Sequence, residues 1–349
     1  MIKRVVILGA LILVVLIYVS PNFTVDTADT GTELPVVLSL ASNDIPELHP
    51  HKHTAHDTVS DTDHGVLTTA SEIVTEKDMW VRGIHTVIEN APHSTLHHMN
   101  IMVFPPPETA TEGSFLSSEF ARPYGFSVGQ DIAETVTLTR PYATFLPKGT
   151  RLVMTAMLHN PQPPKGPGGT YYNVRITSEL LGLDFPEEKA ERVWQIYLTL
   201  IDADSPRLDS FTVPAQTPSF TRYAENENDV GRSKYTFPAD GTLIDMSAHV
   251  HAWEGGTQVE AYINGENIQT FTPHLTSTDA WDWRTERKTL MRKVKKGDVL
   301  SLSATYTNEG TESLRGAMGS IGASFAPDLP SKDFVPSFIY KIPSFLPTP

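Results

Sequence analysis

Two short clusters, His97-His98-Met99 and His249-Val250-His251, carry the side chains best suited to hold a metal ion, with His159 between them and Met318 beyond. Imidazole nitrogen with one thioether sulfur is a donor set suited to copper that cycles between two oxidation states. The 349 residues contain no cysteine, which excludes thiolate zinc sites, iron–sulfur clusters and disulfide frameworks. Any metal therefore falls to His, Met or carboxylate. Side chains this far apart along the chain share an ion only if the fold brings them together.

Strand parity indicates which faces they occupy, because successive side chains point to opposite sides of a strand. In residues 243–252, Ile244, Met246, Ala248, Val250 and Ala252 form an apolar face, and Asp245, Ser247, His249 and His251 a polar one. Both imidazoles are expected side by side on the outer face of a sandwich sheet. In 152–159, Leu152, Met154, Ala156 and Leu158 point inward and His159 outward beside Met157. In 316–325, Ala317, Ile321, Ala323 and Phe325 form the inner set, leaving Met318 exposed among Gly316, Ser320, Gly322 and Ser324. His97 and His98 are adjacent, so a regular strand points them to opposite faces, with His97 joining Met99, Ile101 and Val103. A bulge or strand end must re-aim one ring if both are to serve one ion.

The elements around these residues read as all-β. From about residue 70 the chain consists of short β-branched and aromatic runs punctuated by Pro and Gly, such as 79–81, 101–104, 151–158, 171–176 and 194–201. That pattern predicts two antiparallel, jelly-roll-like β-sandwiches in tandem, over 70–186 and 187–326. The charged stretch 187–192, following Asp184-Phe185-Pro186, marks the boundary and has room for one or two helical turns. Asn264-Gly265 between two strand-like runs predicts a type I′ hairpin, and Lys295-Lys296-Gly297-Asp298 a turn into 299–306. The tail 327–349 is rich in Pro and aromatic residues and is expected to lie extended.

Charge and termini set the surroundings. Lys+Arg 27 against Asp+Glu 41 gives a net charge of −14, which opposes nucleic acid and anionic lipid as partners and favours cations. Lys3-Arg4 precede an apolar run from Val5 to Val19, so residues 1–21 read as a secretory signal or retained membrane anchor, the chain's single link to a membrane. The run is about 15 residues, roughly 22 Å of helix against a ~30 Å hydrocarbon core. The rest is then extracytoplasmic: secreted, periplasmic or held at the cell surface. Residues 22–69, rich in Thr, Asp, Ser and His, read as a flexible tether. Its His49, His51, His53, His56 and His64 are either simply solvated or a low-affinity metal-collecting tail.

Taken together, Leu96-His97-His98-Met99, Leu158-His159, His249-Val250-His251 and Met318 resemble, in order and separation, the copper type II, ascorbate-dependent monooxygenases, the family of peptidylglycine α-hydroxylating and dopamine β-monooxygenases. Gln195-Ile196-Tyr197-Leu198 and Val259 to Gly265 extend the match, which covers about residues 70–326. The resemblance implies two copper ions per chain: an electron-storing one on His97, His98 and His159, and an oxygen-activating one on His249, His251 and Met318. It further implies dioxygen as co-substrate, ascorbate or another electron donor, and insertion of one oxygen atom into a C–H bond of a small-molecule or surface-attached substrate.

Departures from the pattern bear on the substrate. The family's animal members are disulfide-rich, and this chain has no cysteine. The arginine that clamps a peptide carboxylate in the peptide enzyme corresponds to Ser247, and the family's Asn and Tyr after the methionine correspond to Ser320 and Gly322. A buried carboxylate needs a cationic partner, which argues against a peptide C-terminus. Other readings stay open: a non-catalytic copper carrier on the same ligands, a cupin-like mononuclear enzyme using Glu254 or Glu260, and a structural sandwich with incidental histidines.

Overall fold

The computed structural model describes residues 36–41, 66–67, 71–104, 125–129, 134–158, 170–200, 210–224, 233–275 and 283–328, all within one compact unit, Pro35–Pro349. The expected signal or anchor, the His-rich segment 49–64, His159 and nearly all of the tail lie outside the described residues. The described residues are almost wholly strand, with three short 3-10 turns at His93–Thr95, Glu187–Lys189 and Ala252–Glu254. None of their helices is long and apolar enough to cross a membrane.

Two antiparallel β-sandwiches follow one another, as the strand pattern predicts. In the first, one sheet runs Val36–Ala41, Arg175–Leu181, Gly83–Glu89, Thr135–Thr137. The facing sheet centres on Arg151–Leu158 and Leu96–Phe104, flanked by Gly125–Gly129 and, at its other edge, by Val66–Leu67 and Ser71–Val74. Val36–Ala41 lies in the stretch read as tether, yet pairs in full register with 175–180 and extends the sheet. In the second sandwich the site-bearing sheet runs Trp194–Thr199, Gly319–Pro327, Gly241–Val250, Lys288–Val294. Its partner runs Thr217–Tyr223, Val299–Asn308, Gly256–Ile263, Glu266–Phe271. Asn264 (φ 52°) and Gly265 (φ 84°) both take the left-handed conformation that the tight hairpin needs.

Each sandwich has its own core. Leu152, Met154, Ala156 and Leu158 point into the first, as parity requires, together with Leu96, Met99 and Ile101. Ile196, Leu198, Met246, Ala248, Val250, Leu302, Tyr306, Ile321 and Phe325 fill the second. Burying a large apolar side chain contributes roughly 1.5–3 kcal/mol, and with no disulfide available this packing carries the fold. A smaller cluster joins the lobes: Leu138 and Tyr142 from the first meet Ile244 and Ala326 of the second around Val193.

Ile244 departs from its expected place in the second core. The register slips between Leu243 and Asp245, so Leu243 takes the inward position and Ile244 becomes the extra residue of a bulge. A simple count of alternation misses this, because one inserted residue reverses the parity of everything before it. The displaced isoleucine is put to use in the cluster that joins the lobes.

Candidate metal centre

His97 owes its position to a second bulge. Along Leu96–Phe104, His98 pairs with Met157 but Leu96 pairs with Leu158, leaving His97 as the inserted residue. Leu96 and Met99 can then both face the core, fully buried, although regular alternation sends residues i and i+3 to opposite faces. His97 therefore does not join Met99, Ile101 and Val103 on the inner face, the place a regular strand would give it. The bulge re-aims its ring out of the sandwich, toward the second lobe.

His249 and His251 come from the end of Gly241–Val250. Met246, Ala248 and Val250 face the core, so His249 falls on the opposite face, next to Ser320 in register. His251 is the first residue past the strand, at the corner where the chain crosses to the facing sheet. A sharp turn then follows. Gly255 has φ 95°, and a Cβ there would meet the Thr307 carbonyl oxygen at 2.2 Å; one on Gly256 would meet Val250 Cγ2 at 2.4 Å. The turn brings Glu254 back to His251, whose Nδ1 lies 2.9 Å from Glu254 Oε2.

The donors converge across the seam between lobes. His97, His249 and His251 have ligand nitrogens all within 4.8 Å of one another. His97 Nε2 lies 2.9 Å from His251 Nε2. The ring planes of His97, His249 and His251 stand at 72° to 88° to one another, so the nitrogens meet edge-on rather than by stacking. With Glu254 accepting the Nδ1 proton of His251, the Nε2 lone pair of that ring is turned toward the cluster. Two imidazole nitrogens each ~2.0 Å from one ion and ~90° apart lie roughly 2.9 Å from each other, so the spacing of His97 and His251 suits a shared ion.

His98 is half-buried and joins from the other side of His97, Nδ1 to Nδ1 at 2.8 Å, with its ring centroid 6.4 Å from that of His249. Met318 lies between the strands Leu314–Ala317 and Gly319–Pro327. It is buried, at 8% exposure, and not exposed as the sequence suggests; the serines expected on its face are covered too, Ser320 at 1% and Ser324 at 0% exposure.

The two ligand trios that the resemblance implies, with His97 and His251 on different ions, meet a different arrangement at His97, whose Nε2 lies against that of His251. There the lobes touch, and His97 and His251 are 3% and 2% exposed. Among the described residues the structure thus brings together His97, His98, His249 and His251 as one interlobe cluster, and Met318 is tied to His251 through backbone hydrogen bonds that both make to the Tyr306 hydroxyl. Glu254 enters as the partner of a histidine rather than as a ligand of a cupin-like site, and Glu260 is remote, engaged with Tyr262, Asn267 and Ser303.

The polar sheet face beyond His249 is lined by small groups. Ser247 pairs in register with Gly322, and a Cβ on that glycine would stand 3.4 Å from Ser247 Oγ. Arg287, at this face, is engaged with the buried Asp245 at 2.7 Å.

Sequence reasoning missed Tyr306, and it took Glu254 as a possible cupin-like ligand rather than as the partner of His251 Nδ1. Glu254 had a signal, an acid three positions after a histidine and just before Gly255-Gly256. Tyr306 had a subtler one: a hydroxyl-bearing residue on the inward parity of a strand whose other inward residues are Leu300, Leu302 and Ala304.

No protein-family model matches the chain, and no curated protein matches it. Among solved structures, PNGF-II is similar at TM-score 0.32 and 11% identity, over 83% of this chain and 65% of that one. The major capsid protein P2 from Bacteriophage PM2 is similar at TM-score 0.27 and 9% identity, over 83% of this chain and 97% of that one. Likeness at this level says nothing of ligand or reaction.

Proposed function

We propose that this protein is an extracytoplasmic copper-dependent monooxygenase whose metal centre lies at the seam between its two β-sandwiches. The observation that carries the reading is the convergence of His97 from one lobe with His249 and His251 from the other. Copper bound by such residues supplies one-electron redox chemistry and the activation of dioxygen. His97, His249 and His251 would hold one ion, with Met318 as the soft donor favouring the reduced state. A second ion, implied by the resemblance, would draw on His98, whose partner His159 lies outside the described residues.

The chain's own groups have distinct tasks. Glu254 holds the His251 ring in the tautomer that leaves Nε2 free to ligate. The apolar residues Val250 and Ala248 beneath the histidine strand exclude water from the second-lobe side. Ser247, Ser320 and Gly322 offer no cation near His249, which suits a neutral substrate better than a carboxylate.

The burial of His97 and His251 favours one further reading, a copper carrier, since closed metal sites hold ions more often than they turn over substrate. Elemental analysis and oxygen consumption separate the two. Two coppers per chain, with oxygen uptake when ascorbate is supplied, support the monooxygenase. Tight copper without uptake across several reductants supports the carrier, and a chain that takes up no copper overturns both.

A further inference from the structure

The phenol of Tyr306 touches both ligand-bearing segments of the second lobe. It is 0% exposed, on the strand Val299–Asn308. Its hydroxyl accepts from the His251 backbone N–H at 3.1 Å and from the Met318 backbone N–H at 3.1 Å, and donates to the Met318 carbonyl at 2.6 Å. A phenol has one proton to donate and two lone pairs, so all of its capacity is spent here.

The reason lies in the strand ends. His251 follows the last residue of Gly241–Val250, and Met318 interrupts two strands, so neither has ladder partners for these groups. Buried backbone N–H and C=O groups need partners, and one hydroxyl satisfies all three. Gly319, next to Met318, faces the core: a Cβ there would stand 2.4 Å from Ala304 Cβ and 3.1 Å from Leu200 Cδ1. The residue before it falls on the opposite face, that of Ser320 and, in register with Ser320, His249.

We propose that Tyr306 is a positioning residue that clamps the His251 backbone to the Met318 backbone, so that imidazole and thioether are presented to the same ion. The inference rests on the copper reading and assigns a control point to it: the tyrosine acts selectively on Cu(I), because the softer thioether matters most to the reduced ion. Both histidines of the second lobe keep their own supports, Glu254 for His251 and the strand ladder for His249, and so continue to hold Cu(II).

The test compares wild type, Y306F and M318A as full chains. Copper is titrated against a chelator in each oxidation state, and Cu(I) samples are examined by X-ray absorption. Y306F is expected to lose the sulfur scatterer and to weaken Cu(I) by about 10–100-fold, the range for groups that support ligands, with Cu(II) affinity little changed. M318A should do the same, and the double variant should add nothing. An independent measurement needs only wild type and M318A: amide hydrogen exchange at His251 and Met318. Both amides should slow together when Cu(I) is added to wild type, and the His251 response should vanish in M318A. Retention of sulfur ligation in Y306F, or a His251 amide that responds to Cu(I) equally in M318A, overturns the clamp while leaving the copper centre standing. A wild type that binds copper in neither state removes the centre itself.

Discussion

At the scale of single residues, the centre depends on which nitrogen of each histidine is turned inward. For His251 the answer comes from Glu254, 2.9 Å from Nδ1. Glu254→Gln keeps the shape but gives up the anionic acceptor, and an amide nitrogen facing Nδ1 favours the wrong tautomer. Metal affinity is expected to fall by about 10–100-fold, read by competition with a chelator, while the far-ultraviolet circular dichroism of the variant matches wild type. His97→Ala should abolish the shared site more completely, because it removes the only member of the trio supplied by the first lobe. The chemistry of this scale was largely legible: residue types and spacing singled out the histidines, and parity put His249 on the polar face. Tyr306 was not legible as functional, and Glu254 was legible only as a possible cupin-like ligand, because their roles come from backbone groups and ring nitrogens that only the folded chain brings within reach.

At the scale of elements, two bulges decide the outcome. Alternation works for Leu152 to Leu158, where the inserted residue lies in the neighbouring strand and all four inward residues are fully or almost fully buried. It fails at Ile244 and at His97, since an inserted residue changes which side follows without leaving a mark in composition. The exposure expected for Met318 fails for a related reason: a strand's polar face looks solvated in sequence but is covered once another lobe packs there. The turn after His251 is a further element with a fixed requirement. Gly255→Ala puts a Cβ into a carbonyl oxygen and forces a left-handed φ on alanine, with an expected loss of about 1–3 kcal/mol in urea unfolding.

A different turn offers a pH test. Asp298 accepts from the Lys295 backbone N–H at 2.8 Å and the Asn264 amide at 2.8 Å, which hold its carboxyl below the ordinary 3.8. A carboxylate whose folded value is depressed contributes stability that is present above the unfolded value and is lost as pH falls below it. Asp298→Asn should therefore make the acid limb of the urea midpoint below about pH 4 shallower and lower the midpoint at neutral pH, the remaining acid dependence belonging to carboxyls such as Asp184, Asp240 and Glu286 that are also held low. An unchanged acid limb would show that this clamp contributes nothing to the folded state.

At the scale of the whole molecule, the lobes meet through an apolar cluster and through the histidines. An ion that bridges His97 to His249 and His251 binds the closed arrangement and not the unfolded chain, so it stabilises by mass action, roughly 2.7 kcal/mol at a free concentration 100 times its Kd. Thermal unfolding with and without copper should show a rise in Tm for wild type and none for His97→Ala or His249→Ala. Failure of copper to move Tm in wild type while binding in full would mean that the unfolded chain takes the ion as well as the folded one does, and would remove the bridge.

Dividing one donor set between two separately packed lobes has a consequence for partial products of the chain. A fragment carrying either sandwich alone, whether from truncated synthesis or from cleavage near Glu187–Lys189, inherits at best a fraction of the imidazoles and no complete cage. Loose copper is a hazard in an oxygenated medium, and here its capture is reserved for intact molecules.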